Sequence, residues 1–150
     1  MSEAEERARV VAEALSWSGT PYHSAADVKG VGVDCVFLLI RAFADTGMIA
    51  AVDPRPFPEQ WHVHQAAERY LEGIQQQNAH EVAGPPARSP QPADVILFKF
   101  GRVFSHGAIV VAWPNIIHVR RPLPVMVQNC ERTWILDRLD KKFFSLWPRR

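Results

Sequence analysis

The chain has only two cysteines, Cys35 and Cys130, in 150 residues. That is too few for the disulfide framework of a small secreted scaffold. It also lacks an excess of either charge: 17 Lys and Arg stand against 16 Asp and Glu, for a net charge of +1. Nucleic-acid binding draws on a basic stripe. The pairs Arg120-Arg121 and Arg149-Arg150 are too short for one and are read as solvated surface, so no nucleic-acid partner is expected. No apolar run approaches the ~20 residues that span a bilayer, and no membrane anchor is expected. The N-terminus, MSEAEERARVV, is acidic where a secretory signal is basic and then apolar. The expectation is a protein made in the cytoplasm without a signal peptide. Repeats, low-complexity segments and a glycine-rich phosphate loop are also missing.

What is present is ordinary globular composition, with 47% hydrophobic and 22% charged residues. A chain of 150 residues fits one domain with a real core, so residues 1–150 are read as a single domain. Ser2 to Glu5 has capping-box spacing, and Ala8, Val11, Ala12 and Leu15 follow at helical intervals. Gly19 and Pro21 stop that helix. A loop leads to Asp34, an N-cap residue for a second helix, whose run CVFLLIRAFA is apolar nearly all round and belongs in the core. Residues 51–92 are polar and proline-rich, an insertion or long excursion with one helix at 63–77. From Asp94 the period changes: Val95–Phe100, His106–Trp113, Ile116–Val119, Val125–Val127 and Phe143–Trp147 read as short strands. Helices first and adjacent strands later predict an α+β fold with an antiparallel sheet of about five strands.

Cys35 sits in the first turn of the second helix, where orphan N–H groups and the helix dipole favour a thiolate. Cysteine is equally among the most buried residue types, and position alone leaves a packing role open. His106 opens an apolar strand after Ser105, and His118 lies on the next strand beyond the Pro114-Asn115 turn. Antiparallel pairing across that turn brings the two histidines together, and one histidine can hold another in a single tautomer. Periodicity does not establish that the Cys35 helix packs against this strand pair. Cys130 has no histidine near it in sequence and reads as a bystander. His62 and His64 flank Val63, but no third metal ligand stands beside them, and no metal or cofactor is expected. His80-Glu81 reads as solvated loop, and Trp61, Trp113, Trp134 and Trp147 as core or edge aromatics.

Four segments in order, Gly19-Thr20-Pro21-Tyr22, Gly32-Val33-Asp34-Cys35, Ser105-His106-Gly107-Ala108-Ile109 and Ile117-His118-Val119, resemble the NlpC family of papain-like, bacterial and phage cell-wall cysteine peptidases. The run from Lys29 to Cys35 is most similar to the phage tail-tip and gene-transfer-agent branch. The resemblance covers roughly 17–47 and 92–119 and leaves 50–90 and the C-terminus unread. It implies a papain-like NlpC fold with Cys35 as nucleophile, His106 as general base and His118 as the orienting third residue. It further implies Tyr22 and the Cys35 backbone N–H at the oxyanion position, with Asp34 and Ser105 as support, although Tyr22 has an equal reading as a packing aromatic. The implied substrates are peptidoglycan stem peptides, often cleaved at the γ-D-glutamyl–diaminopimelate bond. Phage tail-tip proteins are the implied partners, and the implied place of action is the periplasmic cell wall from a virion tail. Cys35 Sγ is then expected within about 4 Å of one His106 ring nitrogen, with His118 at the other. Its thiol is expected to titrate well below the ~8.5 of free cysteine. One departure stands out: the family carries a small residue and then glycine after the cysteine, whereas this chain has Val36 and Phe37. Those side chains are expected to narrow the cleft or shift the helix. They also leave room for a non-cleaving structural module, and an acyltransferase would use the same Cys-His pair.

Overall fold

The computed structural model describes residues 1–53, 55 and 79–148. The helix expected at 63–77, His62, His64 and Trp61 lie outside the described residues. Helix α1, Glu3–Leu15, starts on the capping box: Ser2 Oγ accepts from the Glu5 N–H at 3.2 Å, and Glu5 Oε2 accepts from the Ser2 N–H at 3.4 Å. The face it buries differs from the one its apolar residues outline. Arg7, Val10 and Ala14 go inward, while Leu15 is exposed. The reason is a buried ion pair. Arg7 Nη1 donates to Asp94 Oδ1 at 2.9 Å and to the Pro92 carbonyl at 2.7 Å, and Nη2 donates to Ser145 Oγ. Arg88 pairs with the other Asp94 oxygen at 2.7 Å, and Trp147 lies under the Arg7 guanidinium. Losing one partner of such a pair costs about 3–5 kcal/mol, so this network, and not the alanine pattern, sets the rotation of α1.

A two-stranded ribbon, β1 (Asp27–Val28) and β2 (Gly32–Val33), fills the segment expected to be loop. It leads into α2, Cys35–Ala44, whose side chains are buried from Cys35 to Ile40 and at Ala42 and Phe43. The strands β3 (His80–Val82), β4 (Val95–Phe100), β5 (Val103–Ala112), β6 (Asn115–Arg120), β7 (Leu123–Asn129) and β8 (Lys141–Ser145) form one antiparallel sheet in the order β3-β8-β4-β5-β6-β7. Among the described residues the sheet has six strands where about five were expected. The extra one is β3, where His80 and Glu81 pair with Ser145 and Phe144 and are not free loop. A three-residue edge strand carries too few side chains for an alternation signal. The short helix α3, Trp134–Arg138, was likewise invisible to periodicity.

The sheet separates two apolar clusters. Val95, Leu97, Ile109, Ile117, Val119 and Val125 face α1 and α2. Ile96, Phe98, Ala108, Val110, Ile116 and Phe143 pack on the other face with Cys130 and Leu136. Helix α2 approaches β5 at Gly107, where an added Cβ would clash with Leu39 Cδ1. Any larger residue there would force the buried Leu39 side chain to shift. The Gly19-Thr20 segment is held against β7, with the Gly19 N–H on the Val125 carbonyl and the Val125 N–H on the Thr20 carbonyl, both at 2.9 Å. These contacts bring the N-terminal end of α2 to the start of β5 and the end of β6.

Candidate active site

Asp34 caps α2 with both carboxylate oxygens. Oδ1 accepts from the Phe37 N–H at 2.9 Å, and Oδ2 accepts from the Ala25 N–H at 2.7 Å. The second bond ties the preceding loop to the helix start, where Tyr22 bridges to Val33. Burial pushes the Asp34 carboxyl above its usual range, opposed by these backbone donors and by Arg55.

On the sheet, the pairs Phe98–His106 and Lys99–Phe104 leave Ser105 as an extra residue on β5, a bulge just before His106. A second irregularity follows His118, between its pair Met126 and the pair Arg120–Leu123. The His106 ring packs between Phe98 and Phe100, with centroids 5.8 Å from each. By strand parity it shares the face of Ala108 and Val110, opposite the face that packs on α2. The two faces meet at the end of the sheet, in a cavity of about 210 Å³ lined by Tyr22, Cys35, Phe100, Ser105, His106, Val119, Arg120 and Arg121. Cys35 and His106 are thus brought to one cavity. No hydrogen bond joins them among the described residues. The sulfur lies against backbone N–H groups instead: Gly107 first, then Cys35 itself and Val36.

His106 Nε2 is 2.7 Å from His118 Nδ1, and His118 Nε2 is 2.5 Å from Gln128 Oε1. Directions follow from what each atom can do. An amide oxygen only accepts, so His118 Nε2 carries a proton and, in a neutral ring, Nδ1 is the acceptor. His106 Nε2–H then donates to it, which leaves the lone pair of His106 on Nδ1. Neutral rings are what the surroundings favour. Burial, then the charges of His118 and Arg120, hold His106 well below the ordinary imidazole range. Burial also lowers His118, with Arg120 adding to it and the Gln128 bond opposing.

The Cys35 thiol does not titrate low. Burial and then the neighbouring Asp34 carboxylate push it up to about 12, against the helix-start N–H groups that favour its charge. Burial works against the imidazolium on His106 as well, so the field that would favour a thiolate is weakened. The surroundings favour a thiol and a neutral imidazole at rest over an ion pair.

Val36 and Phe37 do not narrow the cavity. Both are buried in the helix-side cluster, and Arg55 lies over the Phe37 ring at 4.5 Å. Tyr22 is half-buried on the cavity wall, its hydroxyl pushed up by burial and by the Cys35 and Asp34 charges. Arg120 and Arg121, read from sequence as free surface, line the same cavity. Gln128 was missed altogether. It lies beyond the stretch read as strand, and it reaches His118 diagonally because its own pair is Ile116. Cys130 is a free thiol in the other cluster, across the sheet from Cys35.

No family model matches the chain, and no curated protein matches it. Solved structures do. The NlpC/p60 domain of the peptidoglycan hydrolase SagA superposes with a TM-score of 0.59 at 19% identity, over 91% of this chain and 96% of that one. NlpC1 from Trichomonas vaginalis gives a TM-score of 0.67 at 14% identity, over 99% of this chain and 47% of that one. RipD from Mycobacterium tuberculosis, a non-catalytic NlpC/p60 domain protein adapted to peptidoglycan binding, gives 0.57 at 15% identity, over 95% and 98%. With helices on an antiparallel sheet, α2 starting at Cys35 and the cavity at the sheet's end, this chain has the NlpC/p60 fold.

Proposed function

We propose that the protein is a thiol-dependent hydrolase of peptidoglycan stem peptides, acting on bonds of the γ-D-glutamyl–diaminopimelate type. The observation that carries this reading is the ordered chain Gln128–His118–His106 ending at the cavity that Cys35 lines. In the proposed reaction Cys35 Sγ attacks the amide carbonyl as its proton passes to His106 Nδ1. The oxyanion accepts from the Cys35 N–H and the Tyr22 hydroxyl. The protonated His106 then gives its proton to the departing amine, leaving a thioester that water, activated by the same ring, hydrolyses. Because the resting pair is neutral, proton transfer accompanies attack and does not precede it. His118, oriented by Gln128, holds the His106 ring. The setting proposed is a phage or prophage tail tip, synthesised in the cytoplasm and acting on the cell wall, with tail-tip proteins as partners and residues 1–150 as one domain.

The test is incubation with defined stem peptides followed by mass spectrometry. Fragments carrying one new amine and one new carboxylate, absent with Cys35→Ala, support hydrolysis. A product extended by an added amine would identify acyl transfer. Intact peptides with a folded protein would sink the enzyme reading. A second reading, a non-cleaving peptidoglycan-binding module, is favoured by one feature: Cys35 is only 2% exposed, with its thiol pushed up to about 12. Sedimentation with sacculi, without release of soluble fragments, would select it.

A further inference from the structure

Arg120 and Arg121 line the Cys35 cavity, each with its guanidinium over an aromatic ring. The Arg120 guanidinium lies 4.9 Å from the Phe100 centroid, and that of Arg121 lies 5.3 Å from the Tyr22 centroid. An aromatic ring takes none of a guanidinium's N–H hydrogen bonds, so its planar donor fork is still to be satisfied. Among the described residues no side-chain or backbone acceptor takes those forks, and no carboxylate pairs with them. The remaining cavity residues, Cys35, Ser105, His106 and Val119, bring no acid. Asp34, one residue from the thiol, has its two oxygens committed to the Phe37 and Ala25 N–H groups. The cavity wall therefore carries two positive charges, Arg120 half-buried and Arg121 exposed, with unused planar donor forks and no acid among the lining residues. A carboxylate matches that fork with two parallel hydrogen bonds.

We propose that Arg120 and Arg121 form a carboxylate-binding subsite beside Cys35, so that the site takes acyl donors carrying a free carboxylate on the residue whose carbonyl is attacked. This rests on the hydrolase reading above. A γ-linked glutamyl residue has that chemistry, since linkage through its side chain leaves the α-carboxylate free on the same residue. The amidated form, isoglutamine, does not. The subsite thus separates two stem-peptide classes that differ by one functional group. The ring beside each guanidinium restricts the arginine side chain, which reduces the ordering cost on binding.

The experiment uses two tripeptides of one sequence, L-Ala-γ-D-Glu-diaminopimelate and its D-isoglutamine counterpart, in two assays. In the first, kcat/KM is compared on wild-type protein, Arg120→Gln and Arg121→Gln. The carboxylate form is expected to be preferred on the order of 10- to 100-fold. The ratio should fall toward one in the variants, with Arg121→Lys restoring it only in part because a lysine lacks the fork. In the second, binding to Cys35→Ala is measured by titration calorimetry at two salt concentrations. The carboxylate form should bind more tightly and lose more affinity at high salt. Equal turnover and equal binding of the two peptides would overturn the subsite. Selective binding of the carboxylate form without turnover by wild-type protein would keep the subsite and overturn the hydrolase. Inorganic phosphate that competes as strongly as acetate would show an anion site with no carboxylate geometry, and would also overturn the proposal.

Discussion

His106 Nε2 and His118 Nδ1 lie 2.7 Å apart in the buried end of the sheet, so the two rings share one hydrogen bond and point the lone pair of His106 Nδ1 away from it. Gln128 Oε1, on the far nitrogen of His118, fixes the direction of that bond.

An ordered set of losses follows from this chain. His106→Ala should abolish peptide cleavage, a loss of about 100-fold or more, since it removes the proton acceptor. His118→Ala should be milder, and His118→Asn or Gln milder still, because an amide oxygen accepts the same N–H. Gln128→Leu should cost roughly tenfold in kcat with little change in KM, and Gln128→Glu should recover most of it. Steady-state kinetics on a stem peptide gives the order. Full activity in both His118→Ala and Gln128→Leu would remove the orienting role of both residues.

Thiol reactivity separates a neutral site from an ion pair. With Cys35 pushed up to about 12 and Cys130 to about 11 by burial, both should react with iodoacetamide far more slowly near neutrality than free cysteine. The rate should climb above pH ~9, and His106→Ala should leave the neutral rate unchanged. Peptide mapping of the alkylated protein reads this out. Fast modification confined to Cys35 at neutral pH, slowed by His106→Ala, would restore the ion pair.

Stability should depend on pH through the same histidines. Both are held below the ordinary 6.5. As pH falls through that value the unfolded chain binds protons that the native state does not, so unfolding becomes easier. The melting temperature should drop between about pH 7 and about pH 5, and His106→Gln with His118→Gln should flatten that slope. An unchanged slope in the double variant would place the dependence on groups other than these histidines and other than Asp34, whose carboxyl burial pushes up and which therefore acts in the opposite direction.

Gly107→Ala should destabilise the protein by about 1–3 kcal/mol, the usual cost of overpacking, because the new methyl clashes with the buried Leu39 Cδ1. It should also displace Cys35 at the head of α2 and lower cleavage. Leu39→Ala should add less than its own cost in the Gly107→Ala background, since the clash is gone. Denaturant unfolding of the four proteins measures the coupling; simple additivity would show that α2 does not rest on Gly107.

The sequence by itself determined what local chemistry dictates. The Ser2–Glu5 box starts α1, Asp34 starts α2 at Cys35, and the short apolar runs from Val95 onward make strands. Strand pairing across a turn, expected at Pro114-Asn115 and found at Trp113-Pro114 with Asn115 already in β6, put His106 and His118 within reach of each other. Tertiary structure alone decided the rest. The buried Arg7–Asp94 pair overrode the alanine face of α1. The approach of α2 to Gly107 brought Cys35 to the end of β5, although no pattern in either segment encodes the other. Diagonal pairing between β6 and β7 gave His118 its Gln128, and the fold set two arginines at the cavity, Arg120 half-buried and Arg121 still exposed as the sequence suggests. The protonation of the site was also a tertiary outcome. A helix start favours a thiolate, but desolvation acts on the charged forms of both Cys35 and His106, and in this buried setting it outweighs the local field.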